Sequence, residues 1–133
     1  DFSIDGTLSF TGSSINAFPT LFLQNNPLAS LVDIFNGKVT INKDGLFEAE
    51  SLALGDQSVG EAVILAGQTE VTINSSLITS ASHIFLTPST PVSGNLYVGQ
   101  LLPARGFKVK LSEPNLSDVK FNWLIIQSKE ASN

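Results

Sequence analysis

Short alternating strands, separated by proline and glycine, constrain the fold of this chain more than any other feature. After residue 58, apolar and polar residues alternate in six segments, and the connections carry four prolines and two glycines as breakers. This pattern predicts an all-β fold with a six-stranded antiparallel β-sandwich over residues 59–128. The six segments are residues 62–65, 69–74, 83–87, 95–99, 106–112 and 118–127.

Alternation assigns the faces of these strands, because successive side chains of a strand point to opposite sides. The last two strands each have one continuous apolar face, which predicts the core. A third contribution comes either from Phe85 or from its neighbours Ile84 and Leu86. The predicted core positions of the last two strands are Phe107, Val109, Leu111, Val119, Phe121, Trp123 and Ile125.

The final strand becomes apolar on both faces toward its end, where Leu124 and Ile126 lie opposite the core positions. A strand that is apolar on both faces is covered on both faces. Only 14 % of the residues are charged, against a typical ~25 %. Both features predict an oligomer, and we assign Leu124 and Ile126 to the interface of a homotrimer.

The first half of the chain, residues 1–58, has a different pattern, in which short strands are broken by Asp-Gly and Asn-Gly turns. A strand, an Asp-Gly pair and a second strand occur near Asp5 and again near Asp44. Each copy is too small for a core of its own. We therefore expect a β-rich stalk over residues 1–58, followed by the sandwich head at residues 59–128 and a polar tail at 129–133.

The secondary structure of two further segments of the stalk follows from short apolar runs. Residues 18–23 favour a strand that ends in a polar turn. Residues 28–35 carry apolar side chains at helical spacing, and so short a run is compatible with one or two helical turns or with an irregular strand. The polar, glycine-bearing residues 52–60 predict a hinge between stalk and head.

Composition excludes several classes of partner. The net charge is −5 and the seven basic residues are scattered, so nucleic acid is not an expected partner, and acidic polysaccharides are disfavoured for the same reason. There is no cysteine. No apolar run reaches the ~18 residues of a membrane span, so membrane insertion is not expected.

Catalytic and metal-binding constellations are not recognisable. Glu48 and Glu50 share one face of a strand and are read as solvated side chains. Ser82 and His83 are adjacent on a strand and so point to opposite faces, which does not support a nucleophile–base pair. Asp44-Gly45 is read as a β-turn rather than a calcium loop. We therefore predict no enzyme activity, no metal and no cofactor.

A ligand site is suggested at one strand of the head. Tyr97 is the sole tyrosine, and Asn95 and Arg105 lie in or near the loops that bound its strand. A sugar presents one apolar face and a ring of hydroxyls, so an aromatic ring beside polar groups suits it. The alternative for Tyr97 is packing at an interface with its hydroxyl in water.

Four segments carry a resemblance to the C-terminal β-sandwich heads of trimeric bacterial surface fibres and phage tail fibres, and more distantly to H-type lectin domains. The preceding residues 37–45 are similar to the turn-rich shafts of such fibres. The four segments are Ala-Gly-Gln-Thr-Glu-Val-Thr-Ile from Ala66, His-Ile-Phe-Leu-Thr-Pro from His83, Gly-Phe-Lys-Val-Lys-Leu from Gly106 and Asp-Val-Lys-Phe-Asn-Trp-Leu-Ile from Asp118.

The resemblance implies a homotrimer in which the stalk strands are interwound and the heads pack about a threefold axis. It also implies a binding or capping role, exposed outside the cell or on a virion. It thus predicts a non-enzymatic fibre tip that mediates trimerisation and attachment to a surface glycan or protein receptor. The alternative function is a carbohydrate-binding, lectin-like module. A hydrolytic tailspike-like enzyme is disfavoured, because it would need paired acids in a groove.

Overall fold

The computed structural model describes residues 8–12, 14–17, 20–21, 23–24 and 26–129, and within these residues the fold is all-β. The described strands are β1 (Leu8–Thr11), β2 (Ser14–Ala17), β3 (Leu31–Ile34), β4 (Val39–Asn42), β5 (Phe47–Ala49), β6 (Val59–Ile64), β7 (Glu70–Asn74), β8 (Ser82–Pro88), β9 (Leu96–Leu102), β10 (Gly106–Leu111) and β11 (Val119–Gln127). The chain divides into an N-terminal unit, Asp1–Leu52, and a C-terminal unit, Ala53–Asn133. This division lies six residues before the predicted boundary.

The C-terminal unit contains two three-stranded antiparallel sheets, with the strand orders β7-β10-β9 and β6-β11-β8. The strands β10 and β11 are central in their sheets, so their backbone groups pair on both sides. All six predicted strands are present. The first begins at Val59, three residues earlier than predicted, so the last two residues of the predicted hinge belong to β6.

One apolar core lies in this unit, and its largest contributors are the central strands of both sheets. Phe107 of β10 and Trp123 of β11 pack edge to face, with 5.5 Å between ring centroids. All seven positions of β10 and β11 that were predicted as core are confirmed as buried. The buried apolar residues are Ile64, Ile73, Ile78, Phe107, Val109, Leu111, Val119, Phe121, Trp123 and Ile125.

Two glycines are required by this packing. A side chain at Gly60 of β6 would place its Cβ 2.7 Å from Cζ2 of Trp123, so the indole ring lies directly against the backbone. Gly106 begins β10 with a φ of 149°, and a Cβ there would lie 2.0 Å from the carbonyl oxygen of Ile73. Gly60 thus makes room for the core tryptophan, and Gly106 lets the two strands β7 and β10 approach.

The N-terminal unit contains a two-stranded sheet, β1-β2, and a three-stranded antiparallel sheet, β3-β4-β5. The segment at residues 28–35 contains the strand β3, so the helical alternative is wrong and the strand alternative is confirmed. The turn at Asp44-Gly45 is also confirmed: Gly45 has a φ of 84°, and the side-chain oxygen of Asn42 accepts hydrogen bonds from the amides of Asp44 (3.0 Å) and Leu46 (2.9 Å).

The sheet β3-β4-β5 has one apolar face and one mainly polar face, on which Leu31 is the one apolar side chain. The polar face carries Asp33, Thr40 and Glu48 in a cross-strand row, and Thr40 Oγ1 donates to Glu48 Oε2 at 3.2 Å. The apolar face carries the six side chains Val32, Ile34, Val39, Ile41, Phe47 and Ala49.

Two stalk predictions lie wholly or partly outside the described residues. They are the first strand-turn-strand copy, at Phe2, Ile4 and Asp5-Gly6, and the strand over residues 18–23. The polar tail is described only at Lys129.

Candidate binding surfaces of the C-terminal unit

The outer face of the sheet β7-β10-β9 is polar and charged. Lys108 and Lys110 alternate with the buried residues of β10 and therefore lie on this face. The carboxylate of Glu70, in β7, forms ion pairs with both lysines. Lys108 Nζ lies 3.2 Å from its Oε1, and Lys110 Nζ lies 3.4 Å from its Oε2. One carboxylate thus bridges two lysines that are brought to it by strand pairing.

This arrangement perturbs the carboxylate. The hydrogen bond and the positive charge of Lys108, followed by those of Lys110, lower the pKa of Glu70 below its ordinary value of 4.5. The carboxylate is solvent-exposed, so the ion pairs are screened by water and contribute little stability. Their main effect is to hold both lysine side chains over the sheet.

Tyr97 lies on the same outer face, directly across from Lys110, and 45 % of its surface is exposed. A β-bulge follows it, because the register between β9 and β10 shifts between Lys108 and Val109. Gly99 lies at the bulge, and a Cβ there would be 2.7–2.9 Å from the Cγ, Cδ and Cε atoms of Lys110. The glycine therefore leaves room for the stem of Lys110 to lie against β9.

The two other predicted ligand residues are not brought together. Asn95 precedes β9, where its amide donates to Ser112 Oγ at 2.8 Å. Arg105 follows β9, where its carbonyl oxygen accepts from the amide of Ser75 at 3.1 Å. The seven residues of β9 separate them by roughly 20 Å at ~3.3 Å per residue. Of the three, Tyr97 alone lies within the charged face, and Asn95 is next to it at one end.

The outer face of the sheet β6-β11-β8 has a different character. Val59, Leu124 and Phe85 form a cross-strand row in its three strands. Leu124 is half-buried, whereas 38 % of Val59 and 56 % of Phe85 are exposed. Ile126, also exposed, lies two residues beyond Leu124. The apolar row and Ile126 together contain both predicted interface residues, Leu124 and Ile126, and two that the sequence analysis did not place there, Val59 and Phe85.

Phe85 was one of two alternatives for the core, and the structure decides between them. Ile84 and Leu86 face the core, because they pair with Ile125 and Trp123 of β11, and Phe85 faces outward. Alternation over residues 83–87 places Phe85 on one face and Ile84 and Leu86 on the other. It could not decide which face is buried, because both faces of β8 carry apolar residues.

Ser82 and His83 point to opposite faces of β8, as predicted. Ser82 is buried and its Oγ donates to Gln127 Oε1 at 2.9 Å. His83 is exposed and its Nε2 contacts Ser128 Oγ. The two side chains therefore cannot act as a nucleophile and its base.

A shallow depression of about 340 Å³ lies at one end of this unit. Its polar groups bond to one another. The side-chain oxygen of Gln127 accepts from Thr79 Oγ1 at 2.9 Å, and its amide nitrogen donates to the carbonyl of Leu77 at 2.9 Å. These groups are thereby largely engaged within the protein. The depression is lined by Ser58, Leu77, Thr79, Ala81, Ile125, Gln127 and Ser128.

Within the described part of the chain, no three side chains of His, Asp or Glu cluster as metal ligands. The same residues contain no helix long and apolar enough to cross a membrane.

No protein-family model, curated protein or solved structure matches the chain. The assignment of candidate surfaces therefore depends on the geometry of the chain itself.

Proposed function

We propose that this chain is the non-enzymatic C-terminal tip of an extracellular trimeric fibre, in which the N-terminal unit is the stalk and the C-terminal unit is the head. One observation carries this proposal. The sheet β3-β4-β5 has an apolar face that remains exposed in the single chain, with 44 % of Ile41 and 53 % of Phe47 open to solvent. Such a face requires a partner.

Copies of the same chain are the simplest partner for that face. The opposite face is mainly polar, with Leu31 as its one apolar side chain, so the apolar face is the side that most needs cover. In a trimer, the apolar faces of three copies would meet around a common axis. Each sheet would then bury apolar side chains that a single three-stranded sheet leaves exposed. The resemblance of residues 37–45 to fibre shafts supports the same arrangement.

For the head, we propose that the two three-stranded sheets form a six-stranded β-sandwich. The edge-to-face contact between Phe107 and Trp123 joins the central strands of the two sheets. The buried residues of both sheets belong to one core cluster. These contacts support a sandwich of two sheets packed face to face.

A second trimer contact is proposed on the head, at the apolar row of Val59, Leu124 and Phe85 together with Ile126. These side chains lie on the outer face of one sheet and include no charge. A partner of the same composition covers them without leaving a buried charge unpaired. The outer face of the other sheet, which holds Tyr97 and the lysines, remains free for attachment to a cell surface.

The alternative function is a lectin-like carbohydrate-binding module. The exposed ring of Tyr97 on a polar sheet face favours it, because aromatic rings beside hydrogen-bonding groups fit sugars. Such a module does not require a trimer. A monomer would therefore favour the lectin-like module over the fibre tip.

Native mass spectrometry of the chain at micromolar concentration tests the proposal. We expect a trimer that resists dilution, and a monomer alone would contradict it. Leu124→Asp should weaken assembly by about 3 kcal/mol or more, because each copy would bury an unpaired carboxylate. The control Thr87→Asp adds the same charge to the polar edge of the same face and should leave the trimer intact.

A further inference from the structure

The charged face of the sheet β7-β10-β9 differs in sign from the rest of the protein. The chain carries a net charge of −5. On this face, two lysines and one glutamate lie together, since Lys108 and Lys110 share the single carboxylate of Glu70. The face therefore has a formal charge of about +1, although the chain as a whole is acidic.

The excess positive charge leaves the two lysines able to bind a further anion. A lysine ammonium has three N–H donors. Glu70 accepts one contact from each of the two ammonium groups, so donors remain on both, and one positive charge is not neutralised. Each lysine side chain is also about one third exposed, at 32 % and 38 %. A second carboxylate, supplied by a ligand, would complete the pairing.

Tyr97 supplies an apolar surface at the position next to that charge. It lies directly across from Lys110, and Cβ atoms of such cross-strand neighbours are ~5 Å apart. That spacing is comparable with the width of a sugar ring. A pyranose whose apolar face rests on the tyrosine ring would therefore bring a carboxylate attached to that ring close to the ammonium of Lys110.

Polar groups continue beyond the lysines. Thr72 of β7 and Gln100 of β9 lie on either side of Lys108 in the neighbouring cross-strand row, and both are exposed. The hydroxyl and the amide can donate to and accept from sugar hydroxyl groups. The row from Tyr97 to Lys110 thus provides the ring platform and the charge, and the row through Lys108 provides hydroxyl contacts.

We propose that this face binds a carboxylated sugar of a surface glycan, with the ring on Tyr97 and the carboxylate at Lys110. This proposal rests on the attachment function proposed above but does not depend on the trimer. The scattered basic residues disfavour acidic polysaccharides, which need a cationic track, whereas a single terminal carboxylate needs only one free cation. A shallow single site binds weakly, and several copies on one fibre would increase the avidity.

Two matched pairs of sugars test the proposal on the full chain. They are 3′-sialyllactose with lactose, and methyl glucuronide with methyl glucoside, each titrated at millimolar concentration and followed by saturation-transfer NMR. We expect at least one acidic member to bind about ten-fold more tightly than its neutral partner, a difference that corresponds to about 1.4 kcal/mol. Failure of both acidic sugars to bind, or equal binding within both pairs, would overturn the proposal.

Variants locate the binding. Tyr97→Ala should abolish it, and Lys110→Gln should remove the preference for the acidic member. Gly99→Ala keeps both side chains but displaces the stem of Lys110, so it should weaken acidic binding several-fold. Arg105→Ala, at the far end of β9, is the control and should bind as the unaltered chain does. Acidic binding that persists in both Tyr97→Ala and Lys110→Gln would place the sugar elsewhere.

Native mass spectra of the same samples separate this proposal from the fibre proposal. A trimer that binds neither acidic sugar overturns the sugar site and leaves the fibre tip standing. A monomer that binds at Tyr97 overturns the trimer and supports the sugar site.

Discussion

The two units of this protein use the same kinds of residue with opposite results. In the C-terminal unit, Phe107 and Phe121 are at most 1 % exposed, whereas Phe35 and Phe47 of the N-terminal unit are 79 % and 53 % exposed. No described side chain of the N-terminal unit is buried. Alternating sequences form strands in both units, but only in the C-terminal unit do the buried side chains of two sheets join in one core.

The stability of each unit depends on how much apolar surface the unit buries. Burial of a phenylalanine contributes about 1.5–3 kcal/mol relative to its exposed state. The C-terminal unit obtains this contribution within one chain. The N-terminal unit leaves its apolar face open and obtains less of this contribution to set against the conformational entropy that its strands lose. We infer that the stalk obtains its stability from assembly.

The largest effect is expected from a charge on the apolar face of the stalk. Ile41→Asp places a carboxylate between Val32 and Phe47, its cross-strand neighbours, and would bury it in the trimer. We expect loss of assembly, measured as a shift from trimer to monomer in sedimentation velocity.

The matched control is Asn42→Asp, which adds the same charge one residue further on the polar face. Its carboxylate can still accept the hydrogen bonds from the amides of Asp44 and Leu46. Loss of the trimer in both variants would show that the effect is not specific to the apolar face, and an intact trimer in Ile41→Asp would show that this face is not an interface.

A smaller effect is expected in the core of the head. Trp123→Ala should lower the free energy of unfolding of the C-terminal unit by about 3–5 kcal/mol, because a large buried side chain is replaced by a small one. Chemical denaturation followed by circular dichroism measures this loss. A loss under ~1 kcal/mol would contradict the burial of Trp123, which is 5 % exposed.

The smallest of these effects concerns the backbone beneath that tryptophan. Gly60→Ala should cost about 1–3 kcal/mol, because its Cβ would overlap a buried ring that cannot move freely. Gly55→Ala is the control, since a Cβ there has no atom within 4 Å. Equal thermal unfolding of the two variants would mean that the indole ring relocates without cost.

Much of the head could be predicted from the sequence. Alternation identified all six strands and the inward faces of β10 and β11, because a central strand with one continuous apolar face has a single orientation that buries it. The contact between Phe107 and Trp123 was not predicted, because the partner of each strand is set by long-range pairing. The outward residue on β8 was left open between two alternatives, because both faces of that strand carry apolar residues.

The charged face could not be predicted for a related reason. Glu70 is separated by 38 residues from Lys108 in the chain, and only the pairing of β7 with β10 brings them together. The bulge in β9 leaves both Gly99 and Gln100 on the outer face, which strict alternation does not allow. Tyr97 was identified from its side-chain chemistry, but its neighbours were expected in the loops at the ends of β9 rather than across the sheet.

Hydrogen exchange tests the central claim, that the stalk depends on assembly and the head does not. It should be measured on the assembled chain and on the Leu124→Asp variant, in which the altered residue lies outside the stalk. We predict that the amides of β3, β4 and β5 are protected in the trimer and exchange rapidly in the dissociated variant, while those of β10 and β11 remain protected in both. Strong protection of β3, β4 and β5 in the dissociated chain would contradict the account.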